Sequence, residues 1–543
     1  MREIIRQLPE VLTTWIRPNA AAFLQSREPL LWLLAMLTGI AVAIAAIIFR
    51  EAILLTHFLW LGITTENVAT AAANTHWLIV LLTPAIGGLV VGWLLTRFIA
   101  SRRTGGVADV MEAKARGGRN IEMKEGLMSA LISALSLGVG ASAGREGPIV
   151  HLGATISTSI GEKLRLPAWG KKTLLGCGVA AAVSASFNAP IAGVLFAHEV
   201  ILGHYSKRSF IPIVISSVIG TILSRMRFGD DAAFTIPDYQ ITSYLELPAF
   251  ALLGLTCGAA AVLFQFALIG TDYVARYVTM PLWLRPAVGG LMIGAIGIVF
   301  PQVLGVGYEA TDMALNSQYT LGLMLALIVF KTAATSITLA SRFGGGVFSP
   351  SLYIGAMTGG AFGLIAAGLF PELASSGGLY AILGMGAVGA AVIGAPISTL
   401  VIVFELTGGY ALSIALLLTV SIAVGINQAI HGRSYFQWQL ETRGLRIRDG
   451  PHGFAARNTR VADIMVPLAE GEEPKRSTED DSPVLAPDTT LEVALQIFDQ
   501  GGHARLHVID ARDESVIIGQ VSQVAALRVY NKALVDISVE EHR

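Results

Sequence analysis

The lengths of the apolar segments are the feature that most constrains this chain. Segments 29–58 and 77–95 are each long enough to cross the hydrocarbon core of a bilayer, which takes about 20 residues. Between residues 122 and 224 the apolar segments are shorter, uneven in length and interrupted by Gly and Pro, and further apolar segments follow between residues 246 and 430. Only 14% of the residues are charged, against about 25% in soluble globular proteins. The sequence therefore predicts an all-α, polytopic membrane protein.

The interrupted segments indicate helices that end inside the membrane. Broken backbone is tolerated at that depth where it is buried in protein or lines a cavity. The N-terminus of such a helix presents free N–H groups and a partial positive charge of about +0.5, which binds an anion without a full positive charge. This pattern favours a transporter or channel over a membrane enzyme.

The rest of the composition narrows the class of protein further. The formal net charge of −1 gives no indication of nucleic-acid binding. The two cysteines, Cys177 and Cys257, lie in apolar runs and predict neither a disulfide nor a metal site. The sequence shows no Cys/His cluster, nucleophile–base set or phosphate-binding loop, so we expect no cofactor and no enzymatic activity.

An internal repeat relates two parts of the chain. In each part a glycine-rich break precedes an apolar helix, an Ala-Pro step begins a second one, and a glutamate follows nine residues after that proline. The positions are Gly144–Pro148, Ala189-Pro190 and Glu199 in the first part, and Gly344–Pro350, Ala395-Pro396 and Glu405 in the second. Paired broken helices in a duplicated membrane protein mark the substrate site at the interface of the halves. A chance match of short apolar strings is the competing interpretation, which the shared order and spacing disfavour.

The sequence divides into four regions. Residues 1–28 have apolar residues at helical spacing among charges and predict an amphipathic helix at the membrane surface; a disordered tail is the alternative. Residues 29–440 contain the apolar segments, and residues 441–460 form a charged, Gly-rich linker. Residues 461–543 include an acidic loop at 467–483 and then alternate strand-like and helical patterns, which predict a small soluble α/β module.

Basic residues predict the orientation in the membrane. They cluster before the first span, after the second and behind Glu199, and positive charge marks the cytoplasmic side of membrane proteins. Both termini are therefore expected in the cytoplasm. The residues concerned are Arg2, Arg6, Arg17, Arg27, Arg97, Arg102, Arg103, Lys114, Arg116, Arg119, Lys207 and Arg208.

The motifs at the breaks resemble those of the CLC family of chloride channels and transporters. GREGP at Gly144–Pro148, FNAPIAGVLF at Phe187–Phe196 and GGVFSP at Gly345–Pro350 match strings of that family, and the resemblance covers roughly residues 29–440. It implies the CLC fold, in which two inverted repeated halves consist of broken and tilted helices. It also implies a homodimer in a bacterial inner membrane, with a separate pathway for chloride or a similar small anion in each subunit.

Glu146 matches the gating glutamate of the family. The resemblance implies that its carboxylate can occupy the outer anion site and that protonation removes its charge and releases it. The chemistry agrees, because the N–H groups at a helix start hold a carboxylate and a chloride ion alike. Intramembrane acids are usually functional; an acid that only stabilises the helix start is the competing interpretation. For Arg145 the resemblance implies a structural or electrostatic role near the outer mouth.

The resemblance also assigns residues to the anion itself. It places the backbone amides of Val347 and Phe348 against a central anion, and Gly345, Gly346 and Gly147 carry no side chains to hinder a close approach. An alternative is that Phe348 is only a packing aromatic.

Two departures from the family leave the details of the anion site open. The family string Gly-Ser-Gly-Ile-Pro corresponds to Thr104–Ala108, so the serine that helps to bind the central anion is Gly105 here, followed by Gly106. The threonine before it is a weaker substitute, and selectivity among chloride, nitrate and similar anions stays open. The family tyrosine of the last helix aligns with Phe436, while Tyr435 is adjacent, and both remain candidates.

A third departure concerns proton coupling. Exchangers of the family carry an inner acid at the position of Val200, and valine binds no proton; Met111, where many exchangers have a nearby acid, points the same way. Glu199 precedes Val200 by one residue, a turn of about 100° on a helix, and so faces elsewhere, such as a subunit interface. His198 is a candidate proton relay, with a packed structural histidine as the competing interpretation.

The C-terminal module resembles one CBS motif, which Val461–Met465 (VADIM) and Gly519–Ser522 carry. CBS motifs normally work in pairs, so the resemblance implies pairing across a dimer. Ala525 stands where such modules have a ribose-binding aspartate, which disfavours nucleotide binding and favours a structural or regulatory domain.

Together these features predict a CLC-type chloride channel gated by a protonatable glutamate. An anion/proton antiporter with an altered internal proton route is the alternative. A CBS-regulated membrane enzyme or sensor is a third hypothesis, and no catalytic motif supports it.

Overall fold

The computed structural model divides the chain into two compact units, Met1–Tyr435 and Phe436–Arg543. It describes residues 12–116, 118, 120–230, 234, 241–407, 412–445, 456–457, 459–468, 475–476, 483–510, 513 and 516–542. Arg2, Arg6, Arg119, the first eleven residues of the predicted surface helix and most of the predicted linker and acidic loop lie outside the described residues.

Helices build the first unit. Before the first glycine-rich break they are α1 (Arg17–Gln25), α2 (Glu28–Leu61), α3 (Val68–Ala73), α4 (Trp77–Phe98), α5 (Val107–Ala115) and α6 (Met123–Gly138). They continue as α7 (Glu146–Lys163), α8 (Ala168–Phe187), α9 (Pro190–Phe196) and α10 (Lys207–Phe228). The second half contains α11 (Leu247–Tyr277), α12 (Arg285–Val299), α13 (Tyr308–Leu315), α14 (Leu321–Ala340), α15 (Phe348–Leu369), α16 (Gly377–Ile393), α17 (Pro396–Thr407) and α18 (Ser413–Ile430). A π-helical turn, Ala197–Leu202, continues α9, and the short helix α19 (Tyr435–Glu441) contains the boundary between the units.

Each apolar segment predicted from the sequence is a helix in the structure, which confirms the all-α class of the membrane unit. The apolar pattern does not reveal α3, α5 and α13, because these helices have only six, nine and eight residues. At the N-terminus the described residues are helical from Leu12 to Gln25. Their position at the membrane surface stays a prediction.

Seven helices among the described residues are long and apolar enough to cross a membrane. They are α2, α4, α10, α11, α14, α15 and the helix that begins at Ser413. The helices α7, α9 and α17, which follow the first break and the two Ala-Pro steps, do not reach these limits. The chain is therefore a multi-pass membrane protein whose broken helices stand among complete spans.

Glycines bring two helices of each half together backbone to backbone. In the first half, α7 crosses α8 where a Cβ on Gly153 or Gly178 would lie 2.4 Å from the carbonyl oxygen of the other glycine. In the second half, α15 crosses α16 at Gly355 and Gly384, where the distances are 2.3 and 2.4 Å. Small residues at such crossings are how membrane helices pack closely. The repeat inferred from the sequence is thus present as the same crossing in both halves.

The second unit contains a small β-sheet, and helices precede, separate and follow its strands along the chain. The strands are β1 (Val466–Pro467), β2 (Lys475–Arg476), β3 (Val484–Leu485), β4 (Arg505–Ile509) and β5 (Val516–Ser522), and the helices are α20 (Val461–Ile464), α21 (Leu491–Gly501) and α22 (Gln523–His542). Their order in the sheet is β1-β5-β4-β3, with β3 parallel to β4 and β2 paired with β5. Phe498, Val508 and Val521 are buried in its core. This is the small α/β module that the sequence predicts; its likeness to a CBS motif stays a prediction.

Candidate functional site

The two glycine-rich breaks meet in the structure. The Gly144 N–H donates to the Gly346 carbonyl at 2.7 Å, and the Gly346 N–H donates to the Gly144 carbonyl at 2.8 Å, in an antiparallel bridge. A Cβ on Gly346 would lie 3.1 Å from the Gly147 nitrogen, so glycine permits this approach. The helices α7 and α15 therefore begin side by side, as a site between two helix N-termini requires.

Glu146 is the first residue of α7, and only 3% of it is exposed. Its Oε1 accepts a hydrogen bond from the Ser349 hydroxyl at 2.5 Å and another from the Tyr308 hydroxyl at 3.1 Å. Its Oε2 has no hydrogen-bond partner among the described residues, and a Cβ on Gly144 would lie 2.4 Å from it. The carboxylate thus lies at the junction of the two breaks, with one oxygen fixed and the other without a donor.

Arg145 is buried behind the carboxylate, in a cluster of charges with the partly buried Arg50 and Glu66. Its Nη1 donates to Glu66 at 2.7 Å, and the Arg50 Nε donates to the same oxygen at 2.8 Å. Burial raises the pKa of Glu66, but the charges of Arg145 and Arg50 outweigh it and lower that pKa to about 2. Glu66 is therefore a permanent anion at working pH and neutralises Arg145. The Arg145 guanidinium also lies 4.7 Å from the centroid of the Tyr308 ring, and it thereby positions the hydroxyl that binds Glu146.

The second break provides a helix start without a charge. Val347 precedes α15 and Phe348 is its first residue, and both are buried. The Phe348 ring packs against Phe187, with ring centroids 5.0 Å apart, and against Phe196 at 6.4 Å. The ring therefore packs among aromatic side chains, and its relation to an anion stays a prediction. The amides of the first helical turn have no acceptor inside the helix, so the predicted use of these two backbone N–H groups for an anion is compatible with that packing.

Gly105 and Gly106 stand at the start of α5. The Gly105 N–H donates to the Ser129 hydroxyl oxygen at 2.8 Å, and the Gly106 N–H donates to the Asp109 carboxylate at 2.8 Å. A Cβ on Gly105 would lie 2.3 Å from Nε2 of His151. The position that aligns with the family serine is thus occupied by an imidazole from α7.

Tyr435 and Phe436, the two candidates for the aromatic at the last helix, are each 5% exposed. They are the first residues of α19. Which of them faces the anion stays a prediction.

Glu199 has a partner within the chain. Its carboxylate accepts the backbone N–H groups of Ile397 at 3.1 Å and of Ser398 at 2.7 Å, and it also accepts the Ser398 hydroxyl. In return, Glu405 accepts the backbone N–H groups of Ile191 at 3.0 Å and of Ala192 at 2.7 Å. Each Ala-Pro helix is therefore capped by the acid at the end of the other. This arrangement explains the paired glutamates of the repeat as helix caps.

The end of α9 provides no uncommitted carboxylate among His198, Glu199 and Val200. Val200 is buried in the π-helical turn that continues α9. His198 packs as a structural residue, because its Nδ1 lies 3.0 Å from the His204 carbonyl and its ring stacks on Tyr205 and Phe210 at 5.4 and 6.1 Å. These contacts favour the structural interpretation of His198 over the proton relay.

Within the described parts of the chain, no group of three or more His, Cys, Asp or Glu side chains is placed to hold a metal ion. Cys177 and Cys257 are free and buried. The group with acid–base chemistry at the junction of the breaks is the buried carboxylate of Glu146, at the start of α7.

Sequence reasoning misses three residues near this junction. Glu66 and Tyr308 reach it from a loop and a short helix, and Tyr308 is separated from Glu146 by 162 positions. His151 lies five residues after Glu146, and only the absent side chain at Gly105 hints at its position.

Known proteins resemble this chain over most of its membrane unit. The family profile described as voltage gated chloride channel matches residues 87–428. The H(+)/Cl(-) exchange transporter ClcA of Cronobacter sakazakii is 30% identical over 417 residues, which cover 74% of this chain and 88% of ClcA. The voltage-gated ClC-type chloride channel ClcB of Escherichia coli O17:K52:H18 is 30% identical over 411 residues, or 75% of this chain and 97% of ClcB. The solved structure of a slow cyanobacterial Cl-/H+ antiporter shares the fold, with a TM-score of 0.69 at 24% identity, over 76% of this chain and 97% of that one.

Proposed function

This chain belongs to the voltage-gated chloride channel (CLC) family, and from that membership we propose that it conducts chloride passively along a pathway gated by Glu146. The observation that carries the proposal is the position of the Glu146 carboxylate, buried where two helix N-termini begin, with one oxygen lacking a donor. The chain is a membrane transport protein, and no catalytic group has a place in this proposal.

Competition between two anions is the mechanism of this gate. A carboxylate and a chloride ion are attracted by the same N–H groups and the same dipole ends. While Glu146 is charged, it occupies the outer site and excludes chloride. Protonation removes the attraction, the side chain moves away, and chloride takes its place. Flux is therefore expected to rise as the pH falls.

Conduction without proton coupling follows from the inner end of α9. Coupled exchange needs a second titrating group that reaches the inner side, and Val200 cannot bind a proton. Glu199 is engaged as the cap of α17, and His198 is packed between aromatic rings. Antiport is the second candidate, because the proteins named above include a ClcA described as an H(+)/Cl(-) exchange transporter and a Cl-/H+ antiporter of the same fold.

Assembly and location belong to the same proposal. The chain forms a homodimer in the bacterial inner membrane, with both termini in the cytoplasm and the C-terminal module acting as a CBS-like structural or regulatory domain. The basic clusters before α2 and after α4 support this orientation. Ala525 stands where CBS modules have a ribose-binding aspartate, which disfavours nucleotide binding by this domain.

Proteoliposomes with a chloride gradient and an external pH electrode test the function. We expect chloride to move down its gradient with no proton movement in proportion to it. A gradient of pH at equal chloride should leave the reversal potential at zero. Uphill proton movement that scales with chloride flux and vanishes in Glu146→Ala would replace the channel by an exchanger, and absence of any chloride flux would remove both candidates.

A further inference from the structure

Lys331 is an ionisable residue in the middle of a membrane span. It lies on α14, which is long and apolar enough to cross the bilayer, and 0% of it is exposed. No carboxylate of the described residues forms an ion pair with it. Ionisable side chains at this depth are costly to bury and are usually functional. The contacts of Lys331 therefore indicate what it does.

The amino group of Lys331 is bonded to the loop that precedes α13. Its Nζ donates to the carbonyl oxygens of Val303 and Gly305, each at 3.0 Å. The Gly305 N–H in turn donates to the Gly140 carbonyl at 3.2 Å, so Gly305 is bonded through both of its backbone polar groups. Two hydrogen bonds offset part of the cost of burying the amino group, and they connect α14 to this loop.

The amino group also lies against the residue before Tyr308. A Cβ on Gly307 would lie 3.2 Å from Nζ of Lys331 and 2.8 Å from Cδ2 of Tyr353. Gly307 has a φ of +94°, which glycine adopts more readily than other residues. On the side of α15, Nζ lies 5.0 Å from the centroid of the Tyr353 ring, a distance that suits a cation–π contact. Lys331 therefore fills the space between the loop and α15.

Tyr308 is the residue through which this loop reaches Glu146. Its hydroxyl donates to Oε1 of Glu146 at 3.1 Å, which is long for an O–H···O bond, since these cluster near about 2.7 to 2.8 Å. A displacement of the loop by a fraction of an ångström therefore weakens this bond. The other donor to Glu146, the Ser349 hydroxyl, comes from α15 and not from the loop.

We propose that Lys331 is a positioning residue of the gate, whose bonds to Val303 and Gly305 hold the loop so that Tyr308 reaches Glu146. The proposal rests on the proposed function, in which the charged form of Glu146 closes the pathway. Loss of the Lys331 contacts removes support from the Tyr308 donor and destabilises the charged carboxylate. The pathway then opens at higher pH.

Other charged and titratable groups around these residues are part of the same cluster. Beside Glu146 they are Tyr308 and Arg145, and Glu66 and Arg50 lie behind Arg145. Beside Lys331 the titratable group is the Tyr353 phenol. These groups stay in place in the variants at position 331.

The pH dependence of chloride flux in proteoliposomes tests the proposal. Lys331→Met keeps an unbranched side chain without donors, and we expect its flux midpoint to lie about 0.5 pH unit above that of the unchanged protein. Lys331→Gln keeps an N–H donor and should give a smaller upward shift. If Lys331→Met does not fold, the shift in Lys331→Gln decides. An unchanged midpoint in the folded variants would overturn the proposal.

The double variant Lys331→Met with Tyr308→Phe shows whether the lysine acts through the tyrosine. Residues that act through one contact are not additive. We therefore expect the double variant to have the midpoint of Tyr308→Phe alone. Shifts that add in full would mean that Lys331 acts on Glu146 by another route, such as its charge, and would also overturn the proposal.

Gln265→Met is the matched control for the loss of a buried polar side chain. Gln265 is likewise 0% exposed in a membrane span, and its amide donates to Asn427 at 2.6 Å. We expect this variant to lower the thermal unfolding midpoint, as Lys331→Met does, and to leave the pH midpoint of flux unchanged. An equal pH shift in Gln265→Met would show that lost stability alone moves the midpoint, which contradicts a specific role of Lys331.

Failure of the positioning role and failure of the function have different signatures. If the Lys331 variants keep the midpoint of the unchanged protein while Glu146→Gln removes the pH dependence of flux, the positioning role is wrong and the gate stands. If Glu146→Gln leaves the pH dependence intact, the proposed function is wrong, and the positioning role is wrong with it.

Discussion

The two halves of the membrane unit share one framework and differ at its centre. Each contributes one glycine to the bridge between the breaks, and each contains a crossing of two helices through paired glycines and an Ala-Pro helix capped by a glutamate from the other half. The helices that begin at the breaks nevertheless start with different residues, Glu146 in α7 and Phe348 in α15. The common parts build the frame, and the halves differ in one buried carboxylate, on which the proposed gate depends.

The second half also provides the hydrogen bonds that hold the carboxylate of Glu146. Both hydroxyls that donate to Glu146, from Tyr308 and Ser349, belong to the second half. The first half supplies the charge, and the second half supplies the donors that hold it. Substitutions that make the halves more alike should change the pH dependence of flux, whereas substitutions that affect both halves equally should change stability. The two kinds of variant therefore distinguish the proposed gate from the shared frame.

The largest effect is expected where the halves differ most. Glu146→Gln leaves an uncharged residue at the start of each helix, so the carboxylate can no longer compete with chloride. We expect anion flux to lose most of its pH dependence and to stay at the high level of the open state. Flux from proteoliposomes, measured with a chloride electrode between pH 4.5 and 8, provides the test. A pH dependence equal to that of the unchanged protein would show that another group is the gate.

The glycine crossings should respond equally in both halves. Gly178→Ala and Gly384→Ala each place a Cβ 2.4 Å from a carbonyl oxygen of the neighbouring helix, and overpacking of this kind costs about 3 kcal/mol. We expect each variant to lower the thermal unfolding midpoint strongly. Gly425→Ala is the matched control, because a Cβ there meets nothing within 4 Å. A loss in one half alone would mean that the two crossings are not equivalent.

Tyr308→Phe removes one of the two donors to Glu146. The charged carboxylate loses a hydrogen bond that the protonated form does not need, so protonation and opening occur at higher pH. A hydrogen bond of about 1 kcal/mol corresponds to an upward shift of about 0.7 pH unit in the midpoint of flux. Tyr353→Phe is the control, since its buried hydroxyl has no hydrogen-bond partner among the described residues. A downward shift in Tyr308→Phe would contradict the arrangement of donors around the gate.

The reciprocal caps predict a smaller and nearly symmetric effect. Glu199→Gln and Glu405→Gln each remove a charge from the N-terminus of the opposite helix, which costs about 1 kcal/mol. We expect similar, modest decreases in the thermal midpoint, slightly larger for Glu199 because it also accepts the Ser398 hydroxyl. The pH dependence of flux should not change. If Glu199→Gln altered that dependence while Glu405→Gln did not, Glu199 would have a role in proton transfer beyond capping.

The smallest effect is expected from a cut that leaves both halves intact. Removal of residues 446–543 deletes the C-terminal module, and every residue assigned to the anion pathway precedes the cut. We expect a folded membrane unit with unchanged chloride flux in proteoliposomes. A well-folded truncated protein without flux would show that conduction depends on the module.

The helices and their breaks follow from the sequence because they depend on local information. The lengths of the apolar segments and the Gly and Pro residues at their ends indicate where α2, α4 and α15 begin and end. The repeat predicts that the two breaks belong to one site. Short helices such as α5 and α13 escape this reasoning, since eight or nine residues give too weak a pattern.

The partners at the site depend on contacts across the chain. Glu66 and Arg145 are 79 positions apart, and no periodicity predicts that they form an ion pair. The paired glutamates Glu199 and Glu405 are visible in the sequence as a repeat, but their exchange between halves requires the fold. Gly105 is a further example. In the sequence its missing side chain indicates a lost hydrogen-bond donor, whereas the structure shows His151 in that space.

The bridge between Gly144 and Gly346 has a consequence for symmetry. Each glycine stands two residues before the start of its helix, and antiparallel pairing of equivalent positions is what a twofold rotation produces. The local axis that relates the halves therefore passes between these two residues. On such an axis each residue lies against its equivalent in the other half, so side chains at both positions would compete for the same space. Both positions are glycine, which has no side chain. Away from the axis, equivalent positions of the two halves can carry different residues, as Glu146 and Phe348 do at the starts of α7 and α15. The carboxylate of Glu146 thus makes an otherwise nearly symmetric frame asymmetric.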